Sequence, residues 1–238
     1  MGLVKAAISD GVLTCLWVFC ASFLGAATSA IAKAIGIQGM ASLLLITVSL
    51  VFILLFIFGI AASALGGASF NPTATAAFYA VGLGGDSLIS TAVRFPAQAA
   101  GAVGGAMASL EFMPLQYKHM LGGPSLKVDM HTGAMAEGVL TFTCTTFVLY
   151  IILRGPKSIL MKNLLISISM VTLVCFGKGY TGPSMNPANA FGWAYVNNRH
   201  NTWEQLYVYW ISPFLGAISA AWTFLFLFPP PPSKQKSA

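Results

Sequence analysis

Six apolar stretches, each about as long as a bilayer is thick, restrict this chain more than anything else in it. A helix needs about 20 predominantly apolar residues to cross the hydrocarbon core. Stretches of that kind run over 7–31, 40–65, 91–111, 132–153, 159–177 and 203–228. Only 8% of the residues are charged and 57% are hydrophobic, against about 25% charged in an average soluble domain. A soluble fold has no interior large enough for that excess, whereas a bilayer accepts it as outer surface. The stretches and their connections use nearly the whole chain, so one all-α membrane domain over residues 1–228 is expected, with no room for a soluble catalytic domain. No short basic segment with a small-residue cleavage site precedes the first stretch, which is expected to stay as a helix.

The net charge of +6 does not imply nucleic acid, because the basic residues are scattered over short connections and the tail. They read better as topology signals. With the N-terminus inside, Lys5, Arg154, Lys157, Lys162, Lys234 and Lys236 fall on the inner side and Lys33, Lys118 and Lys127 on the outer. The excess predicts both termini in the cytosol. Arg94, Lys178 and Arg199 flank segments read below as re-entrant and are set aside. Cys15, Cys20, Cys144 and Cys175 lie within the stretches without metal-ligand spacing, and are read as small packing residues rather than redox or ligand groups. No cofactor is expected. His119, His131 and His200 fall in connections with no common spacing.

The chain repeats itself. Asp10-Gly-Val-Leu-Thr14 opens the first stretch and Glu137-Gly-Val-Leu-Thr141 the fourth. Gly67-Ala-Ser-Phe-Asn71-Pro72-Thr73 answers Gly182-Pro-Ser-Met-Asn186-Pro187-Ala188, and Gly101-Ala102 answers Gly216-Ala217 at the same interval. A unit of three crossings is odd, so its second copy enters from the opposite side. The halves, about 1–115 and 130–228, are therefore inverted, with a shared site expected near the membrane centre.

Each Asn-Pro pair leads a short apolar segment, half a span long. Proline suits the first turn of a helix, and asparagine before it caps the free amides. Two half-helices dipping from opposite faces would meet start to start at mid-membrane. The non-helical backbone leading into them must line a polar cavity, because lipid would not tolerate it. Two positive dipole ends, two asparagine amides and the preceding carbonyls then form a passage for neutral hydrogen-bonding solutes that repels cations. Asp10 and Glu137 are costly in lipid and should face the bundle interior. Thr73 has two readings: its hydroxyl back-bonds within the first helical turn, or it narrows and polarises the approach to Asn71.

On these residues the chain resembles the aquaporin, or major intrinsic protein, family over essentially its whole length. The first motif reading Asn-Pro-Thr, the Asp at position 10 where the family usually has Glu, and the basic composition are similar in particular to the small basic intrinsic proteins of plants. The resemblance implies six transmembrane helices plus two re-entrant half-helices, assembled as a homotetramer with one pore per subunit. It further implies Asn71 and Asn186 donating to water, and Asp10 and Glu137 holding loop backbone beside the motifs. The family's outer selectivity filter carries over to Val51, Val174, Pro183 and Asn189, without the Arg and His often found there. Such a filter is less charged and wider than one closed by Arg, so the expected solutes are water and small neutral molecules such as hydrogen peroxide.

After the last stretch, Pro229-Pro230-Pro231-Pro232 is a stiff spacer that holds Lys234 and Lys236 fifth and third from the end. That is the pattern of a dilysine retrieval signal, read by a coat complex on cytosolic tails, or of a generic basic tail near anionic lipid. The family resemblance implies the endoplasmic reticulum. Three other functions share some of these features. A secondary transporter also uses inverted repeats but would want a buried ion site at the centre. An intramembrane enzyme would want nucleophile and histidine on facing helices, and a non-conducting structural protein would carry an occluded pore.

Overall fold

The computed structural model describes residues 2–83 and 85–229; Lys234 and Lys236 lie outside them. The described residues form helices and connections without strands. The first crossing is α1 (Leu3–Ser22) continued by α2 (Leu24–Ala34) after a break at Phe23. Then come α3 (Met40–Ala64), the short α4 (Pro72–Ala80), α5 (Leu88–Phe112), α6 (Met130–Leu153), α7 (Ile159–Gly177) and the short α8 (Pro187–Val196). The last crossing runs through α9 (Trp203–Leu206), a π-helical turn (Tyr207–Ile211) and α10 (Ser212–Leu227). Six long paths and two half-length helices thus appear where the apolar pattern predicts them. The ends of the first and third paths extend a few residues beyond the apolar stretches.

Five of the long paths are apolar enough over a sufficient length to cross a membrane. The exception is α5, which is 25 residues long but rich in alanine and glycine and carries Arg94 and Gln98. Its composition follows from its position between α1 and α8, where protein rather than lipid covers it. α3 is the opposite case: of its 25 residues only Val51 and Phe58 are buried, and Leu45, Ile53, Ile57 and Ile60 stand exposed, the surface a lipid chain would cover.

Glycine sets the closest helix crossings, and it does so twice by the same rule. A Cβ on Gly101 would strike the carbonyl oxygen of Gly11, bringing α5 against α1. A Cβ on Gly216 would strike the carbonyl oxygen of Gly138, bringing α10 against α6. Gly11 and Gly138 follow the two repeated acids, so the repeat legible in the sequence is also a repeat of packing, with small residues admitting close backbone approach. Two apolar clusters flank the half-helices. One holds Leu13, Trp17, Val18, Phe58, Ala102, Ala188 and Trp193; the other holds Ala77, Leu149, Ala217, Ala221 and Phe224.

His119 and His131 are not in irregular connections as expected. His119 sits in a 3-10 turn, Leu115–Met120. His131 is in the first turn of α6, because Asp129 caps that helix through the amides of His131 and Thr132. Asn-Pro geometry at α4 and α8 is as expected: both asparagines are extended N-cap residues with proline in the first turn.

Candidate pore at the paired motifs

Each motif asparagine spends its side chain on two tasks. The Asn71 carbonyl oxygen accepts the Thr73 amide at 3.0 Å, and that of Asn186 accepts the amides of Ala188 at 3.1 Å and Asn189 at 3.3 Å. These bonds cap the two half-helices. The Asn71 Nδ2 donates across to the Met185 carbonyl at 3.0 Å, and the Asn186 Nδ2 donates to the Phe70 carbonyl at 2.9 Å. The cross-links are reciprocal: each asparagine holds the carbonyl just before its counterpart. An amide carries two N–H donors, so one N–H of each asparagine remains for a solute. The carbonyls of Phe70 and Met185, expected to line the passage, are partly used in locking one motif to the other.

Thr73 follows neither of its two readings in full. It is almost wholly buried, and its hydroxyl lies 2.8 Å from the Asn71 Oδ1 and 3.1 Å from the Met185 carbonyl. It therefore belongs to the seam between the motifs. Among the described residues Met185 is one of two non-glycine residues with positive φ, at 49°, a conformation that is sterically costly for a long side chain. It is held from both sides, its amide donating to Glu137 and its carbonyl accepting from the first motif.

The repeated acids support the loops that lead into the motifs. Glu137, fully buried, accepts the Thr181 hydroxyl at 2.8 Å, the Ser184 amide at 2.9 Å and the Met185 amide at 3.1 Å. Asp10, also fully buried, accepts the Ser69 amide at 2.8 Å and the side chains of Arg94 and Gln98. Arg94, set aside as a flanking charge, lies inside α5, buried, and is the partner of Asp10 that the sequence reading misses. The signal was available, since a lone arginine in a span must find a carboxylate.

A cavity of about 460 Å³ runs from Asn71, Thr73 and Met185 at the centre to Tyr79, Leu83 and Asp86 on the face that carries the N-terminus. Its wall is mainly apolar, with Leu55, Val148, Ile166 and Met170, and includes Cys144 and Thr141. Thr141 is almost wholly buried and its hydroxyl has no hydrogen-bond partner among the described residues. Of the filter positions carried over from the resemblance, Pro183 and Asn189 belong to one segment, with the Asn189 Nδ2 donating to the Ser184 hydroxyl at 3.2 Å. Pro183 lies against Gly177, where a Cβ would collide with its ring. Val51 on α3 is buried and Val174 on α7 is exposed; these two stand on helices that pack together.

The stretch after the 3-10 turn covers the second re-entrant loop, with Ser125 and Lys127 amides donating to the Thr181 and Tyr180 carbonyls at 2.8 Å each. Lys178, expected in that loop, ends α7 as its C-cap and is exposed.

Comparison with known proteins agrees with this geometry. The family model described as major intrinsic protein matches residues 1–224. Aquaporin SIP1-2 of Zea mays is 63% identical over 99% of this chain and 98% of that protein, and Aquaporin SIP1-1 of Arabidopsis thaliana is 52% identical over 99% and 98%. The X-ray structure of the aquaglyceroporin from Plasmodium falciparum superposes with a TM-score of 0.67 over 94% of this chain and 96% of that one, at 17% identity. A likeness at that identity concerns the fold. With the sequence matches, the capped half-helices and the reciprocal asparagines, it places this chain in the major intrinsic protein family, as a multi-pass membrane channel of the small basic intrinsic type and not an enzyme.

Proposed function

We propose that this channel passes water, and small neutral solutes such as hydrogen peroxide, across the endoplasmic reticulum membrane. The observation that carries the reading is the pair of asparagines, each with one N–H committed to the opposite motif and one left over. A molecule at the junction accepts from both amides while the two half-helix N-termini disfavour a cation there. Val51, Val174, Pro183 and Asn189 form the outer filter in this reading. With no formal charge among them, the rejection of protons falls on the half-helix dipoles and the reoriented hydrogen bonds at Asn71 and Asn186.

The protein works as one channel domain over residues 1–228, with halves about 1–115 and 130–228, in a homotetramer with both termini cytosolic. Lys234 and Lys236 serve as the retrieval signal. Stopped-flow light scattering on proteoliposomes tests the central claim: vesicles with the protein shrink faster than empty vesicles under an osmotic step, with a low activation energy. Equal rates would refute water conduction. The same vesicles loaded with a peroxide-sensitive dye report the second solute.

A further inference from the structure

The two re-entrant loops are built on one plan but anchored differently, and the difference isolates Arg94. In the second half, Glu137 alone reaches two successive backbone amides, of Ser184 and Met185. In the first half Asp10 is one methylene shorter and takes only the first of the corresponding amides, that of Ser69. The remaining acceptor capacity of Asp10 goes to Arg94, whose Nε donates to Oδ2 at 2.7 Å and whose Nη2 donates to Oδ1 at 2.9 Å. The same Nη2 donates to the Gly67 carbonyl at 3.0 Å, at the start of the loop. The third guanidinium nitrogen, Nη1, donates to the Asp86 carboxylate at 2.5 Å. Asp86 lies in the connection between α4 and α5, and its side chain is 37% exposed, against 6% for Arg94 and none for Asp10.

At the interval that relates Gly101 to Gly216, Arg94 corresponds to Tyr209. Tyr209 donates its hydroxyl to the Thr181 carbonyl at 3.2 Å and has no acid to neutralise, because Glu137 is already satisfied by loop amides. The planar, five-donor fork of arginine lets one side chain bind the acid, the loop backbone and a second acid at once; tyrosine can do only the second of these.

We propose that Arg94 is a positioning residue for the first pore motif: together with Asp10 it replaces the longer acid of the second half, and through Asp86 it ties Asn71 to the connection between α4 and α5. Asn71 follows two residues after Ser69, whose amide and carbonyl are both held by this group, the carbonyl by Gln98. Displacement of Arg94 therefore moves the loop that ends in Asn71, while the second motif, anchored by Glu137, stays in place. The inference rests on the channel reading for its flux arm and on the geometry alone for its exchange arm.

The test uses the full-length protein with Arg94→Tyr, Asp86→Asn and the double variant Asp10→Glu, Arg94→Tyr, which copies the second half into the first. Hydrogen–deuterium exchange of residues 66–73 and osmotic water permeability are measured together. Arg94→Tyr should exchange faster over 66–73, but not over 181–188, and conduct several-fold less water. The double variant should restore both toward wild type. Asp86→Asn, at a side chain that is 37% exposed, should speed exchange over 66–73 by about twofold, the size expected of an ion pair in partial contact with water. Exchange at 66–73 unchanged in Asp86→Asn, or a double variant no better than Arg94→Tyr in either measurement, overturns the proposal. If Arg94→Tyr does not fold while the double variant does, the pairing of Asp10 with Arg94 is upheld. Wild-type vesicles that pass no water refute the water-channel reading and leave the exchange arm to decide this one.

Discussion

Thr73 shows how a single hydroxyl changes meaning once its surroundings are known. Beside proline in the first turn it reads as a local back-bond or as a lining group, yet its neighbours are the Asn71 side chain and the Met185 carbonyl of the other motif. Thr73→Ala removes one buried hydrogen bond, worth about 1 kcal/mol net, and one methyl, worth about 0.8 kcal/mol. The expected result is a loss of about 1–2 kcal/mol in resistance to unfolding in detergent, with water permeability close to wild type. A large permeability change at unaltered stability would show that Thr73 acts on the passing solute from the cavity wall and not only as part of the seam between the motifs. Asn71 and Asn186 were legible from the motif alone, because proline after asparagine specifies a helix start almost by itself. Their reciprocal hold on Met185 and Phe70 was not, since it joins residues more than a hundred positions apart.

Among the elements, the glycine crossings give the sharpest expectation. Gly101→Ala and Gly216→Ala each place a methyl against a backbone carbonyl that cannot rotate away, so α5 must part from α1 and α10 from α6. Each should cost about 1–3 kcal/mol, the range for overpacking, read as a lower unfolding midpoint, whereas Gly59→Ala, with open space around its Cβ, should not. The cap of α6 adds a pH dependence. Hydrogen bonds from Thr132, side chain and backbone, and from the His131 backbone hold the Asp129 carboxyl below its usual range. A depressed pKa stabilises the folded form above the unfolded value, and the benefit disappears as pH falls through the folded one. Protection of the His131 and Thr132 amides, taken relative to their intrinsic exchange rates at each pH, should therefore fall on acidification below the ordinary carboxylate range, and this fall should be absent in Asp129→Asn. The π-helical turn Tyr207–Ile211 had no counterpart in the apolar pattern; hydrophobic periodicity does not separate an i→i+5 turn from the α-helix around it.

For the molecule as a whole, the cavity makes one further expectation accessible. Cys144 lines it beside Thr141 and Met170, whereas Cys15, Cys20 and Cys175 do not. A small methanethiosulfonate reagent applied to vesicles should remove the larger part of the water flux in wild type and little of it in Cys144→Ser. The proposed homotetramer predicts a detergent-solubilised particle with four times the protomer's protein mass, which a mass measurement on that particle checks.

Apolar length, the paired Asn-Pro motifs and the acid-led repeat together implied the helix number, the two half-helices and the inverted halves. Each of these depends on residues close in the chain, or on a pattern that recurs along it, so each is readable in one dimension. The partners of Asp10 were not. A buried carboxylate must be satisfied, but whether by loop amides, as at Glu137, or by a guanidinium, as at Asp10, depends on one methylene of reach and on which side chain of α5 faces it. That is settled by distances across the bundle, which a sequence does not carry.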